Sequence, residues 1–478
     1  MGLEGKLDSS GANKIVNQSL LDYYRIPMDS LGGVSLSADA AAGDAGFFHF
    51  GQGNICYGRC ASGVAADLAG SSAFNAAQHV RRNGIALQLP FDFTEVVENL
   101  RQERYRQSSP RGIERFASTE SIRKLYYLTR NYLPFEIRRQ LQRIYFYDWK
   151  RVSFPAWPVD LTVDKLHEHL LRLTMEASGV KKLPFIWFWP EGAPNCLIMT
   201  HDVETSVGRD FTFNLMDLDE SYGFKASYQV IPEKRYHVTD EFVSRIRSRG
   251  CEFNIHDLNH DGNLYLERKE FVRRAIGINS YARKYESRGF RAGAMYRRQA
   301  WYDTFEFSYD MSVPNVAHLE PLRGGCCTVM PYFIGGILEL PLTTAQDYSL
   351  FHILNDYSID LWKQQLALIR GRNGLISFLT HPDYLIDERT RKIYELLLIH
   401  LREMAARDNV WLALPGEVDR WWRARSQMKL HQKGNYWLIE GPGKERARLA
   451  YAVLNEGRLV YELAGTPGRE YTTTIPTV

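Results

Sequence analysis

Two carboxylates, a histidine pair, an arginine and a late histidine stand at the ends of successive apolar runs. Together they are the parts of a metal-assisted hydrolase. Asp202 and Glu204 close the run CLIMTHDVE, and His256 and His260 follow CEFNI. Arg291 lies in GFRAGAMY, Asp310 in FSYDMSV, and His381 ends LISFLTH. Three residues separate His256 from His260. On a helix, or on one irregular turn after a strand, that spacing turns both imidazoles the same way. Two imidazoles, one carboxylate and open positions make a catalytic divalent-metal site. Taken alone, the pair also reads as two surface or capping histidines.

Residues i and i+2 of a strand face one side, so Asp202 and Glu204 share a face. One carboxylate can ligate a metal while the other takes a proton from water. A helix N-cap is the competing reading, because Thr205 and Ser206 follow. It leaves unexplained a charged pair at the end of an otherwise buried run. Arg291, as a fixed cation beside a carboxylate, lowers the pKa of that carboxylate and orients it. His381, followed by Pro382, can donate a proton to a leaving amine. A surface arginine and a satisfied core histidine are the plainer alternatives for these two.

The elements that must position these groups are legible as an alternation. From Cys196 to about Glu417, apolar or β-branched runs recur, and helical spacing fills stretches such as 240–250, 266–289, 360–372 and 387–408. About eight strands alternating with helices predict an α/β fold, a parallel sheet closed into a distorted (β/α) barrel. All the groups above would then meet at its C-terminal rim. The expected organisation has three parts. An α+β extension covers 1–190, with short strands in 47–63 and 84–93, a helical stretch over 119–149, and a Pro-marked linker into a helix at 164–179. The barrel covers 191–428, and a small β-rich unit covers 429–478.

Composition narrows the class. The 478 residues are 45% hydrophobic and 24% charged, as in ordinary soluble proteins. A formal charge of +3 gives no reason to invoke nucleic acid or an acidic membrane. No run approaches the roughly 18 apolar residues of a membrane span. The first twenty residues lack an apolar core behind a basic start, so a cytoplasmic location is expected. Six cysteines without a CxxC pair read as reduced thiols, Cys196 and Cys251 among them as buried ones.

In these motifs the chain resembles the polysaccharide deacetylase superfamily, carbohydrate esterase family 4, over about residues 190–420. Thr200-His201-Asp202-Val203-Glu204 resembles its aspartate motif, and His256-xxx-His260 its metal pair. Phe290-Arg291-Ala292 resembles its arginine motif, and Phe378-Leu379-Thr380-His381 its closing histidine motif. The resemblance implies Asp202 as general base, His256 and His260 as ligands of zinc or another divalent metal, and Glu204 as third ligand in an Asp-x-Glu pattern. It implies Arg291 orienting Asp202, His381 as general acid, and backbone N–H groups near Met295 and Tyr296 holding an oxyanion. Asp310 and Asp347 compete for its fourth, Asp-bearing motif, which implies a catalytic part for Asp310 and a substrate contact for Asp347. Val203 stands where the second aspartate is usual, and Ala292-Gly293-Ala294 lacks the usual proline. The implied reaction is N-deacetylation of an acetamido sugar by metal-activated water, in exopolysaccharide or glycan-precursor synthesis. The alternatives are a metal-independent amidohydrolase on the same barrel and a non-catalytic glycan-binding protein.

Overall fold

The computed structural model describes residues 15–27, 30–41, 43–51, 53–108, 140, 143–465 and 470–472. Most of the helical stretch expected over 119–149 lies outside these. The chain divides into two compact units. One draws on 1–109, 161–192 and 423–478, the other on 110–160 and 193–422.

In the first unit, the C-terminal strands do not stand alone. Strand Leu449–Asn455 pairs antiparallel with Arg458–Leu463 on one side and with Lys182–Ile186 on the other. A ribbon with one apolar face needs a partner to bury it. Ala450 and Ala452, both fully buried, stand opposite Phe185 and Leu183. The stretch expected as a separate β unit at 429–478 thus shares a sheet with residues placed in the N-terminal extension. The expected helix at 164–179 is present as Thr162–Ser178, closed by Gly179 at φ 68°, a left-handed cap that glycine adopts without strain.

The second unit carries the α/β alternation. Its strands are β1 (Cys196–Val203), β2 (Ala226–Val230), β3 (Glu252–His256), β4 (Gly289–Arg291), β5 (Tyr309–Asp310), β6 (Tyr332–Ile334), β7 (Ile337–Glu339), β8 (Leu375–Thr380) and β9 (Trp411–Leu412). Hydrogen bonding orders them β6-β7-β5-β4-β3-β2-β1-β8, with β9 on the first two residues of β1. All neighbours are parallel except the hairpin β6–β7, which turns at Gly335-Gly336. Every residue of β1, β2 and β8 is buried. That is why these strands read as continuous apolar runs and not as alternating ones. The intervening helices α1 (Ser206–Ser221), α2 (Asp240–Ser248), α3 (Arg268–Lys284), α4 (Asp360–Arg370) and α5 (Glu388–Asp408) bury one face each. Thr205, Thr239 and Asp387 cap α1, α2 and α5 by accepting first-turn N–H groups.

The backbone ladder has two ends, and threonine hydroxyls bridge the gap between them. Beyond β7, Thr343 Oγ1 donates to the Leu375 carbonyl at 2.8 Å and accepts from the Ser377 N–H at 2.9 Å. Thr344 Oγ1 donates to the Ser377 carbonyl at 2.8 Å. The sheet therefore curls back to β8 without a continuous ladder between the edges. Among the described residues no helix is long and apolar enough to cross a membrane. All six cysteines are buried.

Candidate active site

The C-terminal ends of β1, β3, β4 and β8 bring the sequence-predicted groups together. Asp202 is the penultimate residue of β1 and Glu204 follows the strand. His256 ends β3, Arg291 ends β4, and His381 follows β8. Parallel register sets Arg291 beside His256 and Asp202 beside Gln229, so the ends are level. Asp202 and Glu204 do face the same way. His256 Nε2 lies 3.6 Å from Asp202 Oδ2 and 3.9 Å from Glu204 Oε1. The helix cap at this point is Thr205, whose hydroxyl accepts from the Gly208 N–H, and that leaves both carboxylates to the site.

Arg291 is fully buried and holds Asp202. Its Nη1 donates to Asp202 Oδ1 at 2.9 Å and to Thr200 Oγ1 at 2.8 Å, and its Nε donates to the Met311 carbonyl at 3.0 Å. Burial works to raise the Asp202 pKa, but the charges of Arg291, His256 and His381 lower it below the ordinary value.

Glu204, His256 and His260 form a candidate cation site. Their ligand atoms all lie within 4.8 Å of one another, with Glu204 Oε1 at 3.0 Å from His260 Nε2. His256 Nδ1 is 3.1 Å from the Arg291 carbonyl. A carbonyl only accepts, so Nδ1 carries a proton, and in the neutral ring Nε2 presents its lone pair. That Nε2 is buried and makes no hydrogen bond, which is costly unless something else uses it. A ligating histidine normally hands its other N–H to a carbonyl or carboxylate, and His256 does so. The donor set, the spacing and the orphaned nitrogen fit a divalent cation. Burial opposes the charge on Glu204, yet His260 and His256 hold its pKa well below the usual range. Burial likewise opposes charge on His256, and Asp202 and Glu204 raise its pKa.

The turn after β3 is strained in a way that serves this geometry. Asp257 and His260 have positive φ, 55° and 54°, and Arg235 Nη2 clamps the His260 carbonyl at 2.7 Å. Gly293 lies directly against them. A Cβ there would sit 2.6 Å from Asp257 Oδ2 and 2.8 Å from His260 Cδ2. The alanine-glycine run after Arg291 therefore makes room for the turn from Asp257 to His260.

Across the cluster, His381 Nε2 lies 3.8 Å from Glu204 Oε1. Asp347, fully buried, grips His381 twice. Oδ1 accepts from Nδ1 at 2.7 Å, and Oδ2 accepts from the backbone N–H at 2.8 Å. Burial alone would lower the His381 pKa, but Asp347, with Glu204 and Asp202, raises it to about 10.

Three expectations change. Asp347 orients the histidine, and both its oxygens already accept from His381 and from the Tyr348 N–H, so a substrate group would have to share them. Asp310 is outside the cluster. Its carboxylate accepts from Tyr302 Oη and from Ser312 N and Oγ, beside the buried Glu339. Ser312 Oγ in turn accepts the Ala292 N–H at 2.9 Å, so Asp310 braces the turn that follows Arg291. The Met295 and Tyr296 N–H groups donate within that turn, to the Ala292 and Gly293 carbonyls at 3.4 and 3.2 Å. An oxyanion would have to compete with those bonds.

Asp383 is a residue that the sequence reading missed. Its Oδ2 accepts the Glu204 N–H at 3.2 Å, and its Oδ1 accepts from the Thr205 hydroxyl. It fixes the backbone of Glu204. The signal was its place two residues after His381, in the turn opened by Pro382. The fully buried His201, by contrast, bonds Thr380 Oγ1 and Asp219 Oδ2 and belongs to the core.

No family model matches the chain, and no curated protein matches it. Among solved structures it is similar to polysaccharide deacetylases and family 4 esterases. One, from Mycobacterium smegmatis and described as a polysaccharide deacetylase, is 16% identical. That match covers 52% of this chain and 98% of the other at a TM-score of 0.41. A family 4 acetyl xylan esterase from Clostridium thermocellum, in complex with a cobalt ion, is 14% identical over 48% of this chain and 91% of its own, with a TM-score of 0.32. A CE4 family pseudoenzyme from Bacillus anthracis is 13% identical over 47% and 65%, with a TM-score of 0.31. At these TM-scores the likenesses carry no functional weight, and the function is read from the geometry of the site.

Proposed function

We propose that the chain is a metal-dependent carbohydrate N-deacetylase that releases acetate from an N-acetylated sugar. The observation that carries this reading is the Glu204–His256–His260 cluster, flanked by an arginine-held carboxylate on one side and a carboxylate-held histidine on the other. A divalent ion on that cluster would supply Lewis-acid polarisation of the scissile carbonyl and lower the pKa of a water. Zinc suits two imidazoles and one carboxylate with an open position.

The chain's own residues supply the proton chemistry. Asp202, kept ionised and oriented by Arg291, takes a proton from the attacking water. His381, kept charged by Asp347, gives a proton to the departing amine, so an amine leaves rather than an amide anion. Cleavage of the C–N bond leaves acetate and a free amino sugar.

The test is acetate release from N-acetylglucosamine oligomers, before and after chelation and zinc return. Release that disappears with chelation and returns with zinc is expected. No release by the zinc-loaded protein from any N-acetylated sugar would sink the reading. A metal-independent amidohydrolase is the second reading, favoured by one contact, the 3.0 Å pairing of His260 with Glu204. Full activity after chelation would select it.

A further inference from the structure

We propose that the cleft lined by Glu320 and Ser349 binds a primary ammonium group, that of an amino sugar ring neighbouring the one under deacetylation. The proposal rests on the N-deacetylase reading above and deepens it, because the substrate becomes a glycan that already carries a free amine.

The cleft lies within the second unit. Glu320, Thr343, Thr344, Ser349, Gln365 and the half-buried Trp157 are among the residues that line it, and no basic residue does. It has room for about one water-sized group. Glu320 is buried. Among the described residues its side chain makes no salt bridge and a single hydrogen bond, which Oε1 accepts from Gln346 Nε2 at 2.7 Å. Burial raises its pKa to about 7, although Gln346, Arg297 and His381 work to lower it. A buried carboxylate without a cation of its own is costly. Ser349 opens a π-helical turn, Ser349–Leu354, and is also buried, and its Oγ makes no hydrogen bond. Two such groups on one small cleft point to a partner from outside the chain.

The lining sets the chemistry of that partner. Thr343 and Thr344 spend their hydroxyl hydrogens on the Leu375 and Ser377 carbonyls, so toward the cleft they can only accept. Gln365 is engaged at both ends of its amide, by the Pro158 carbonyl and the Ala345 N–H. The cleft therefore offers acceptors and a negative charge. A primary ammonium brings three donors and a positive charge in a water-sized head. A water would serve the serine and leave the carboxylate uncompensated, and an acetamido group is neutral and larger than the space. Deacetylation of a sugar produces such an ammonium. The cleft is also tied to the acid, since Gln346, which holds Glu320, immediately precedes Asp347, which holds His381.

The experiment uses the full chain without metal, with glucosamine trimer and N-acetylglucosamine trimer as probes, calorimetry as the readout and choline chloride as the salt. Wild type should bind the glucosamine trimer more tightly. Glu320→Gln keeps the shape and an acceptor for Gln346 but removes the charge. It should weaken glucosamine trimer by about tenfold or more and leave the acetylated trimer unchanged, and a melting temperature no lower than wild type shows that it is folded. Ser349→Ala should weaken the glucosamine trimer by a smaller factor. In the zinc-loaded protein, Glu320→Gln should raise KM for a trimer with one acetyl group and two free amines while kcat holds. The proposal is overturned if wild type does not prefer the glucosamine trimer, or if Glu320→Gln weakens both trimers equally. It is also overturned if potassium chloride in place of choline chloride abolishes the preference, which would make the cleft an alkali-cation site. Glu320-dependent binding of the glucosamine trimer, with no acetate released from any N-acetylated sugar, would remove the N-deacetylase reading and keep the ammonium site.

Discussion

Replacing Asp347 by Asn separates a tuned acid from one that is only well placed. The carboxylate is fully buried and within 2.7 Å of His381 Nδ1. Burial pushes an imidazole toward its neutral form, and Asp347 is the first of the charges that overcome burial and raise the His381 pKa to about 10. Asparagine keeps the shape and one acceptor but removes the charge. If the pKa returns to the ordinary value of about 6.5, the protonated fraction at pH 8 falls from near unity to about 3%. The acid is then lost about thirtyfold at pH 8 and less than twofold at pH 6. The defect should therefore grow with pH, and the alkaline limb of the kcat profile should move down by about three and a half pH units.

Acetate release measured from pH 5.5 to 9.5 reads this directly. An NMR titration of the His381 ring in the metal-free protein reads it without turnover. Stability should follow the same titration. A histidine with a raised folded pKa stabilises the fold fully below its unfolded pKa, and that contribution is lost as pH climbs toward the folded pKa. Wild type should accordingly lose more thermal stability than Asp347→Asn between about pH 6.5 and 10. A loss of rate that is the same at every pH, with an unmoved His381 titration, would rule out tuning by charge and leave Asp347 as a positioning group alone.

The other variants test the remaining groups. His256→Ala should abolish zinc retention through desalting with the circular dichroism spectrum unchanged, and Glu204→Gln should weaken zinc affinity strongly, because an amide is a poorer ligand. Wild-type affinity in Glu204→Gln would remove Glu204 from the ligand set. Asp202→Asn should keep zinc and lose about two to four orders of magnitude in rate. It should also unfold earlier, because the fully buried Arg291 loses its anion, a change on the order of 3–5 kcal/mol, and an unchanged melting temperature would contradict this. Gly293→Ala should lower zinc affinity in a folded protein, since the new Cβ would meet His260 Cδ2 at 2.8 Å; isothermal titration with zinc checks it.

The strand-end groups were legible because buried parallel strands leave a plain trace. A run such as LISFLT has no alternation, so a polar residue at its end has to face the rim. What the sequence did not disclose depends on partners far along the chain. Nothing local distinguishes Asp310 from Asp347. Only the bonding of Thr343 and Thr344 along β8 carries Asp347 to His381, 34 residues on. The pairing of Lys182–Ile186 with Leu449–Asn455 joins segments that two hundred and more residues separate, and an apolar pentapeptide does not name its neighbour. Thr343 and Thr344 look like any strand threonines, and their bridging role appears only once β8 lies opposite. The N–H groups of Met295 and Tyr296 donate within their own turn, which a sequence does not disclose either. A motif gives their positions but not the i→i−3 bonds that the turn closes on itself.

Arg291 shows why so many of the legible parts had to occur together. Its guanidinium spans Asp202, Thr200 and the Met311 carbonyl, so it ties β1 to β4 and to the residue after β5. Its own carbonyl accepts both the His256 Nδ1–H and the Asp257 N–H, at 3.1 and 2.8 Å. One residue thus holds Asp202 through its side chain and orients His256 through its backbone. Lysine has a single ammonium and could not serve three acceptors in a plane. It would free Asp202 to rotate toward His256 Nε2, 3.6 Å away, where it would compete with Glu204 for the cation. Under the proposed function, keeping Asp202 off the cation is as much a part of the work of Arg291 as keeping it charged.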